Sequence, residues 1–86
     1  MVTKVDLPVS VEAFFDHSIR RFSPRRLWWS GRSFLVTKLG LHHTYRQGRT
    51  LYHVFSVSSA RAFFRLELNS ETLNWSLKEI SDGLPN

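Results

Sequence analysis

Three runs of alternating apolar and polar residues fill the C-terminal half of the chain. They read TLYHVFSVS over residues 50–58, AFFRLEL over 62–68 and TLNWSLK over 72–78. A period of two is typical of strands that bury one face, and short polar segments between such runs favour antiparallel hairpins. The pattern therefore predicts an antiparallel meander with one continuous apolar face.

The registers of this meander are predicted from the pairings that keep all the apolar side chains together. A slip by one residue would move them into water, so the assignment of faces is strongly constrained. The predicted neighbours on the apolar face are Leu68–Leu73, Leu66–Trp75, Val57–Ala60 and Phe55–Ala62, and those on the other face are Tyr52–Arg65 and Val54–Phe63.

The N-terminal half gives a weaker pattern. RRLWWSGRSFLV indicates a hairpin around Ser30 and Gly31, where glycine supplies the positive φ of a tight turn. LHHTYRQ, between Gly40 and Gly48, is predicted to be a polar loop or an irregular crossing.

Residues 9–22 fit two structures. Val9, Val11 and Ala13 alternate as in a strand ending near Asp16, whereas the apolar spacing also fits a short helix over residues 10–21. The fold predicted for residues 1–86 is a single small all-β domain. It has five or six antiparallel strands in a bent meander sheet or small open barrel.

Charge is distributed very unevenly along the chain. Residues 17–66 contain no aspartate or glutamate, yet they hold nine arginines, one lysine, all four histidines and nine of the twelve aromatic residues. With a net charge of +5, this composition favours a polyanionic partner. Guanidinium groups match phosphate or carboxylate oxygens, and aromatic rings can stack on nucleic acid bases.

Several classes of protein are disfavoured. The chain has no cysteine, which excludes disulfides and thiolate ligands, and no apolar run long enough for a signal peptide or a membrane helix. We therefore expect a cytoplasmic protein without a membrane partner. On a strand, His42 and His43 would be a poor chelating pair because adjacent residues point to opposite sides, whereas a loop could bring them together. The favoured interpretation is two polar loop residues. His53 is expected to be a packed histidine with one hydrogen-bond partner. No catalytic set, metal site or cofactor is predicted.

The candidate binding residues combine arginines with aromatic side chains. On the face opposite the predicted core, Tyr52, Phe63 and Arg65 resemble the stacking platforms of proteins that bind single-stranded nucleic acid. The alternative is that the N-terminal strands cover this face. The full predicted set for nucleic acid consists of Arg25, Arg26, Arg32, Tyr52, Arg61, Phe63 and Arg65.

The chain also resembles an uncharacterised family of small bacterial β-domains. The resemblance is carried by PVSVEAFF, PRRLWWSGRSFLV, LYHVFSV, FFRLEL and LNWSLKEISDG, with matching positions at Pro24, Trp29, Gly31, Arg32, Phe34, Val36, Trp75 and Asp82. Some members are associated with translesion-type DNA polymerases, so the resemblance implies a β fold and a role linked to nucleic acid. It implies no catalytic residues.

The sequence thus predicts a non-catalytic module that binds a polyanion, with nucleic acid as the favoured partner. The alternative is a protein–protein interaction module that docks on an acidic surface or forms a homodimer.

Overall fold

The computed structural model describes residues 2–60 and 62–81, and these residues form one antiparallel sheet with the order β3-β2-β1-β7-β6-β5-β4. The strands are β1 (Val2–Asp16), β2 (Arg21–Trp29), β3 (Arg32–Leu35), β4 (Lys38–Gln47), β5 (Thr50–Ser59), β6 (Ala62–Asn69) and β7 (Trp75–Ser81). The predicted all-β class is confirmed. The predicted count of five or six strands is wrong, because the described residues form seven.

The sheet curls strongly into a half-barrel because β1 changes partner midway. Its first half, to Val9, pairs with β7, and its second half, from Ser10, pairs with β2. Each half contains a register shift, and such bulges bend a strand and increase its twist. The hairpin of β2 and β3 therefore folds over the face of the strands from β7 to β4.

The link between β3 and β4 joins the two ends of the curled sheet. The Val36 amide donates a 2.8 Å hydrogen bond to the Arg25 carbonyl on β2, and the Thr37 amide donates one of the same length to the Ser58 carbonyl on β5. Consecutive residues thus bond to strands that lie far apart in the sheet order.

The core lies inside this curl. Six fully or nearly fully buried side chains form its centre: Leu27, Phe55, Val57, Phe64, Leu66 and Leu77. Five of them come from the predicted apolar face of β5, β6 and β7, which confirms that face. Rings of the first hairpin complete the packing, since Phe34 lies 5.0 Å from Phe64 and Phe22 lies 6.1 Å from Phe55 between ring centroids.

The predicted register of β5 and β6 is wrong by four residues. Phe55 pairs with Leu66 instead of Ala62, and Val57 pairs with Phe64 instead of Ala60. Strand β5 continues through the serines that were expected to turn, and the reversal follows Ser59, with Ala60 at a φ of 50°. Because the shift is an even number, every side chain keeps its predicted face.

The predicted register of β6 and β7 is wrong by two residues. Leu68 pairs with Trp75, and Leu66 pairs with Leu77, so the predicted Leu66–Trp75 pair does not form. Leu73 lies in the connection at a φ of 63° and is largely exposed. The Asn69 side chain accepts hydrogen bonds from the amides of Glu71 and Thr72, which lengthens this turn beyond the predicted one.

Two local alternatives are settled. Residues 10–16 are strand and 17–20 are a turn, so the short helix over 10–21 is wrong. LHHTYRQ is part of β4, so the predicted loop is wrong as well. The turn at Gly31 is confirmed, with a φ of 74°.

Candidate functional site

The predicted binding residues lie on three separate surfaces. Arg26 lies on the outer side of β2. Arg25 is the extra residue at the register shift of β2, and its guanidinium lies over the outward-facing Phe14 ring. Arg32 pairs with Trp29 on the inner side and lies 5.8 Å from the centre of the Phe34 ring. Tyr52, Phe63 and Arg65 lie on the outer side of β5 and β6, and Arg61 lies outside the described residues.

The corrected register separates Tyr52 from Phe63 and Arg65. Tyr52 is opposite Asn69, while Arg65 is opposite Ser56, four residues and about 13 Å farther along β5. The predicted neighbours Tyr52–Arg65 and Val54–Phe63 are therefore wrong. One face of the Tyr52 ring is also covered, since the Tyr45 ring stacks on it at 5.1 Å.

Phe63 and Arg65 are exposed on the outer side of β5, β6 and β7, whereas Val54 on the same side is buried. This side is not a cationic surface. Arg65 Nη1 lies 2.9 Å from Glu79 Oε2, and Lys78 Nζ lies 2.9 Å from Asp6 Oδ1. The Tyr45 hydroxyl donates a 2.8 Å hydrogen bond to Glu67. Burial, and then this hydrogen bond, raises the pKa of Tyr45 to about 12. Carboxylates on this face thus neutralise Arg65 and Lys78 and accept the hydrogen bond of the Tyr45 hydroxyl.

Phe63 lines a mainly apolar groove of about 490 Å³ at one end of the same face. Val2, Leu41 and Phe63 line it with half or more of their surface exposed, and the Arg65–Glu79 pair lies at its margin. The groove offers apolar contact rather than a row of free cations.

A second basic and aromatic surface lies on the outer side of β1 and β2. We call it the Trp28 face and define it by Phe14, Arg25, Arg26 and Trp28. Leu27 points into the core, so its neighbours Arg26 and Trp28 point outward. Trp28 is 43% exposed and Phe14 is 47% exposed. The strand β2 lies between β1 and β3, so Trp28 stands on a strand with a neighbour on each side.

Local contacts hold the two arginines of the Trp28 face in place. The Arg25 guanidinium carbon lies 4.8 Å from the centre of the Phe14 ring, and Arg26 Nη1 donates a 3.4 Å hydrogen bond to Ser33 Oγ. Glu12 is the cross-strand neighbour of Arg26, but Arg26 reaches the other way, toward β3. Within residues 2–60 and 62–81, neither arginine forms an ion pair, so both keep their charge available.

Sequence reasoning missed Phe14 and Trp28, although a signal was present. Two adjacent aromatic residues on a strand must point to opposite sides, so one member of Trp28–Trp29 had to face outward. Alternation with the apolar Leu27 identifies it as Trp28.

Two histidines meet at the end of the inner side of β4 and β5. His42 Nε2 and His53 Nδ1 lie 3.0 Å apart, and the His42 ring stacks on Phe55 at 4.3 Å. His53 thus has the hydrogen-bond partner predicted for it. His42 and His43 lie on β4, so the prediction that they are loop residues is wrong, and as adjacent strand residues they point to opposite sides. Burial lowers the pKa of His42, with further contributions from the charges of His53, His43 and Arg21.

Stability is expected to fall as the pH is lowered through the ordinary histidine pKa of 6.5. His42 has a lowered pKa in the folded protein. As the pH falls, the unfolded chain therefore binds the proton at a higher pH than the folded protein does, and this binding stabilises the unfolded state. Urea titrations at about pH 7.5 and about pH 5.5 measure this. His42→Phe, which retains a ring over Phe55, should reduce the pH dependence. His43→Gln should reduce it less, because it removes only one of the smaller causes of the lowered pKa of His42. An unchanged pH dependence in His42→Phe would contradict this assignment.

No cluster of three or more potential metal-binding side chains occurs in the described ranges. The same ranges form no helix that is long and apolar enough to cross a membrane. Comparisons with family models, curated proteins and solved structures find no match to the chain. The resemblance to polymerase-associated β-domains stays a prediction.

Proposed function

We propose that this protein is a non-catalytic module that binds single-stranded nucleic acid through its Trp28 face. The observation that carries the proposal is an exposed indole ring beside two arginines without carboxylate partners in the described structure. An aromatic ring on a β-surface stacks on any base, and guanidinium groups bind the phosphates that flank it.

The arrangement suits an unpaired strand better than a duplex. Bases in a duplex are stacked on one another, so their faces are inaccessible to a protein side chain. Trp28 offers a flat apolar surface on the middle one of three strands, and Phe14 with the overlying Arg25 offers a second stacking surface. Phe14 is four residues along β1 from Ser10, the partner of Trp28, which places it about 13 Å away along the strand.

Charge distribution favours the Trp28 face over the outer side of β5, β6 and β7. Arg65 and Lys78 are paired with carboxylates on that side, so phosphate binding there would have to displace Glu79 or Asp6. Arg25 and Arg26 need no such exchange. A bound phosphate therefore gains the full charge-assisted contact at the Trp28 face.

Trp28→Ala is expected to weaken binding of a short single-stranded oligonucleotide by about 1–3 kcal/mol, the contribution of one lost stack. The salt dependence of binding should not change, because no charge is removed. Fluorescence anisotropy at two salt concentrations measures both quantities.

The matched variant is Phe63→Ala, which removes an aromatic ring of similar exposure from a distant strand, the outer side of β6. Its affinity should equal that of the wild type. If Phe63→Ala loses binding and Trp28→Ala does not, the strand binds the outer side of β5 and β6, as predicted from the sequence, and the proposal for the Trp28 face is wrong.

A further inference from the structure

A small cationic pocket adjoins one end of the Trp28 face. It has a volume of about 270 Å³ and lies where the beginning of β2 meets the link between β3 and β4. Its charged lining residues are Asp16, Arg21, Arg25 and Lys38, and Ser23 and Thr37 add hydroxyl groups. Arg25 belongs both to this pocket and to the Trp28 face, so the two are continuous.

Three cations and one carboxylate give the pocket a formal charge of +2. The Asp16 carboxylate is occupied within its own turn, where it accepts hydrogen bonds from the Ser18 hydroxyl at 2.6 Å and the Ser18 amide at 3.0 Å. These bonds, with a smaller contribution from Arg25, lower the pKa of Asp16. In the described part of the chain, none of the three cations forms an ion pair with it.

We propose that this pocket binds the terminal phosphate monoester of a nucleic acid strand that lies on the Trp28 face. This proposal rests on the proposed function, because it assumes that a strand binds the Trp28 face. The pocket itself would recognise the terminal phosphate. A monoester carries a charge of about −1.5 to −2 at neutral pH and three acceptor oxygens. A phosphodiester within a strand carries a single charge, so it matches the pocket less well.

The lining residues divide the recognition between them. Arg21 and Arg25 present planar forks that bind two phosphate oxygens each, and Lys38 supplies a compact charge from the opposite wall at the beginning of β4. Ile19, Val36 and Leu39 give the pocket an apolar side against which the terminal sugar can pack. Arg25 lies above Phe14, so a strand leaving the pocket passes directly onto the Trp28 face.

The test compares three oligonucleotides of one sequence, with a 5′-phosphate, a 3′-phosphate or hydroxyl groups at both ends. We expect one phosphorylated form to bind about tenfold more tightly than the hydroxyl form, as one added charge-assisted contact would give. Lys38→Gln should abolish this preference and leave the affinity for the hydroxyl form within about twofold, the change expected for a site without a phosphate contact. Arg49→Gln, which removes an exposed cation from the β4–β5 turn, should retain the preference.

A second measurement separates the pocket from the strand. Amide chemical shifts are recorded while a mononucleotide, or its nucleoside without phosphate, is added. The mononucleotide should shift the amide resonances of Thr37 and Lys38, and the nucleoside should not. If the oligonucleotides bind with equal affinity and the mononucleotide shifts nothing, the pocket proposal is wrong and the proposed function remains. If the mononucleotide binds but no oligonucleotide does, the pocket is retained and the proposed function is wrong. If no oligonucleotide binds and the mononucleotide shifts no amide resonance, both the pocket proposal and the proposed function are wrong.

Discussion

Phe55→Ala is expected to lower the free energy of unfolding by about 3–5 kcal/mol, the range for large aromatic truncations in a core. Phe55 is completely buried, and its ring contacts Trp75 at 5.6 Å and Phe22 at 6.1 Å between centroids. Because Phe22 comes from β2 and Trp75 from β7, the truncation removes one of the contacts between the first hairpin and the sheet beneath it, while the contact of Phe34 with Phe64 remains. A small domain has a total stability of roughly 5–15 kcal/mol, so this loss is a large fraction of it.

Urea denaturation followed by tryptophan fluorescence measures the loss. Phe63→Ala is the matched control, since it removes the same ring from a half-exposed position and should cost less than about 1 kcal/mol. Similar losses in the two variants would show that β2 and β3 do not cover the inner side of β5.

Replacing Arg25 and Arg26 together with glutamate should weaken oligonucleotide binding at least about 100-fold. Each arginine contributes a charge-assisted contact of about 1.5–3 kcal/mol, and each glutamate then repels the phosphate that it faces. Losing two phosphate contacts should also lower the slope of log affinity against log salt by about 1.4 for a single strand. Binding isotherms at three salt concentrations give both values.

The double variant Arg46→Glu with Arg49→Glu is the control. It changes the net charge by the same amount on the β4–β5 hairpin, where both side chains are exposed. It should cause a smaller loss from the long-range field alone. Equal losses in the two double variants would mean that the net charge of the protein, rather than the Trp28 face, attracts the strand.

The faces of the C-terminal strands could be predicted from the sequence, while their registers could not. Alternation fixes whether Phe55, Phe64 or Leu66 points inward, and any even shift preserves that answer. The register depends on where the chain turns. The turn after Ser59 is marked by neither glycine, proline nor asparagine, and Ala60 adopts a positive φ that its residue type does not suggest.

Strand β4 was missed because it lies at an edge of the sheet. Nearly all of its side chains are exposed on both sides, so LHHTYRQ carries no apolar alternation. An exposed edge strand and a loop are both polar, so the sequence pattern does not distinguish them and predicts a loop here. These residues form a strand because they pair with β5, and the local sequence of residues 41–47 does not show that pairing.

The candidate site could be predicted only in part. The sequence identified Arg25 and Arg26, but it assigned the aromatic partners to Tyr52 and Phe63 because an incorrect register placed those rings beside Arg65 and Val54. The carboxylate partners of Arg65 and Lys78 come from β1 and β7, and such long-range neighbours cannot be read from local patterns. Phe14 meets Arg25 only because β1 and β2 pair.

The most direct test of the proposed function compares a single-stranded oligonucleotide with an abasic strand of equal length and charge. If bases stack on the Trp28 face, the oligonucleotide should bind at least about tenfold more tightly, and the two salt dependences should be parallel because the phosphate contacts are the same. Trp28→Ala should bring the two affinities together. Equal affinities of the wild-type protein for both strands, matched by an acidic peptide of the same charge, would contradict nucleic acid recognition and favour docking on an acidic protein surface.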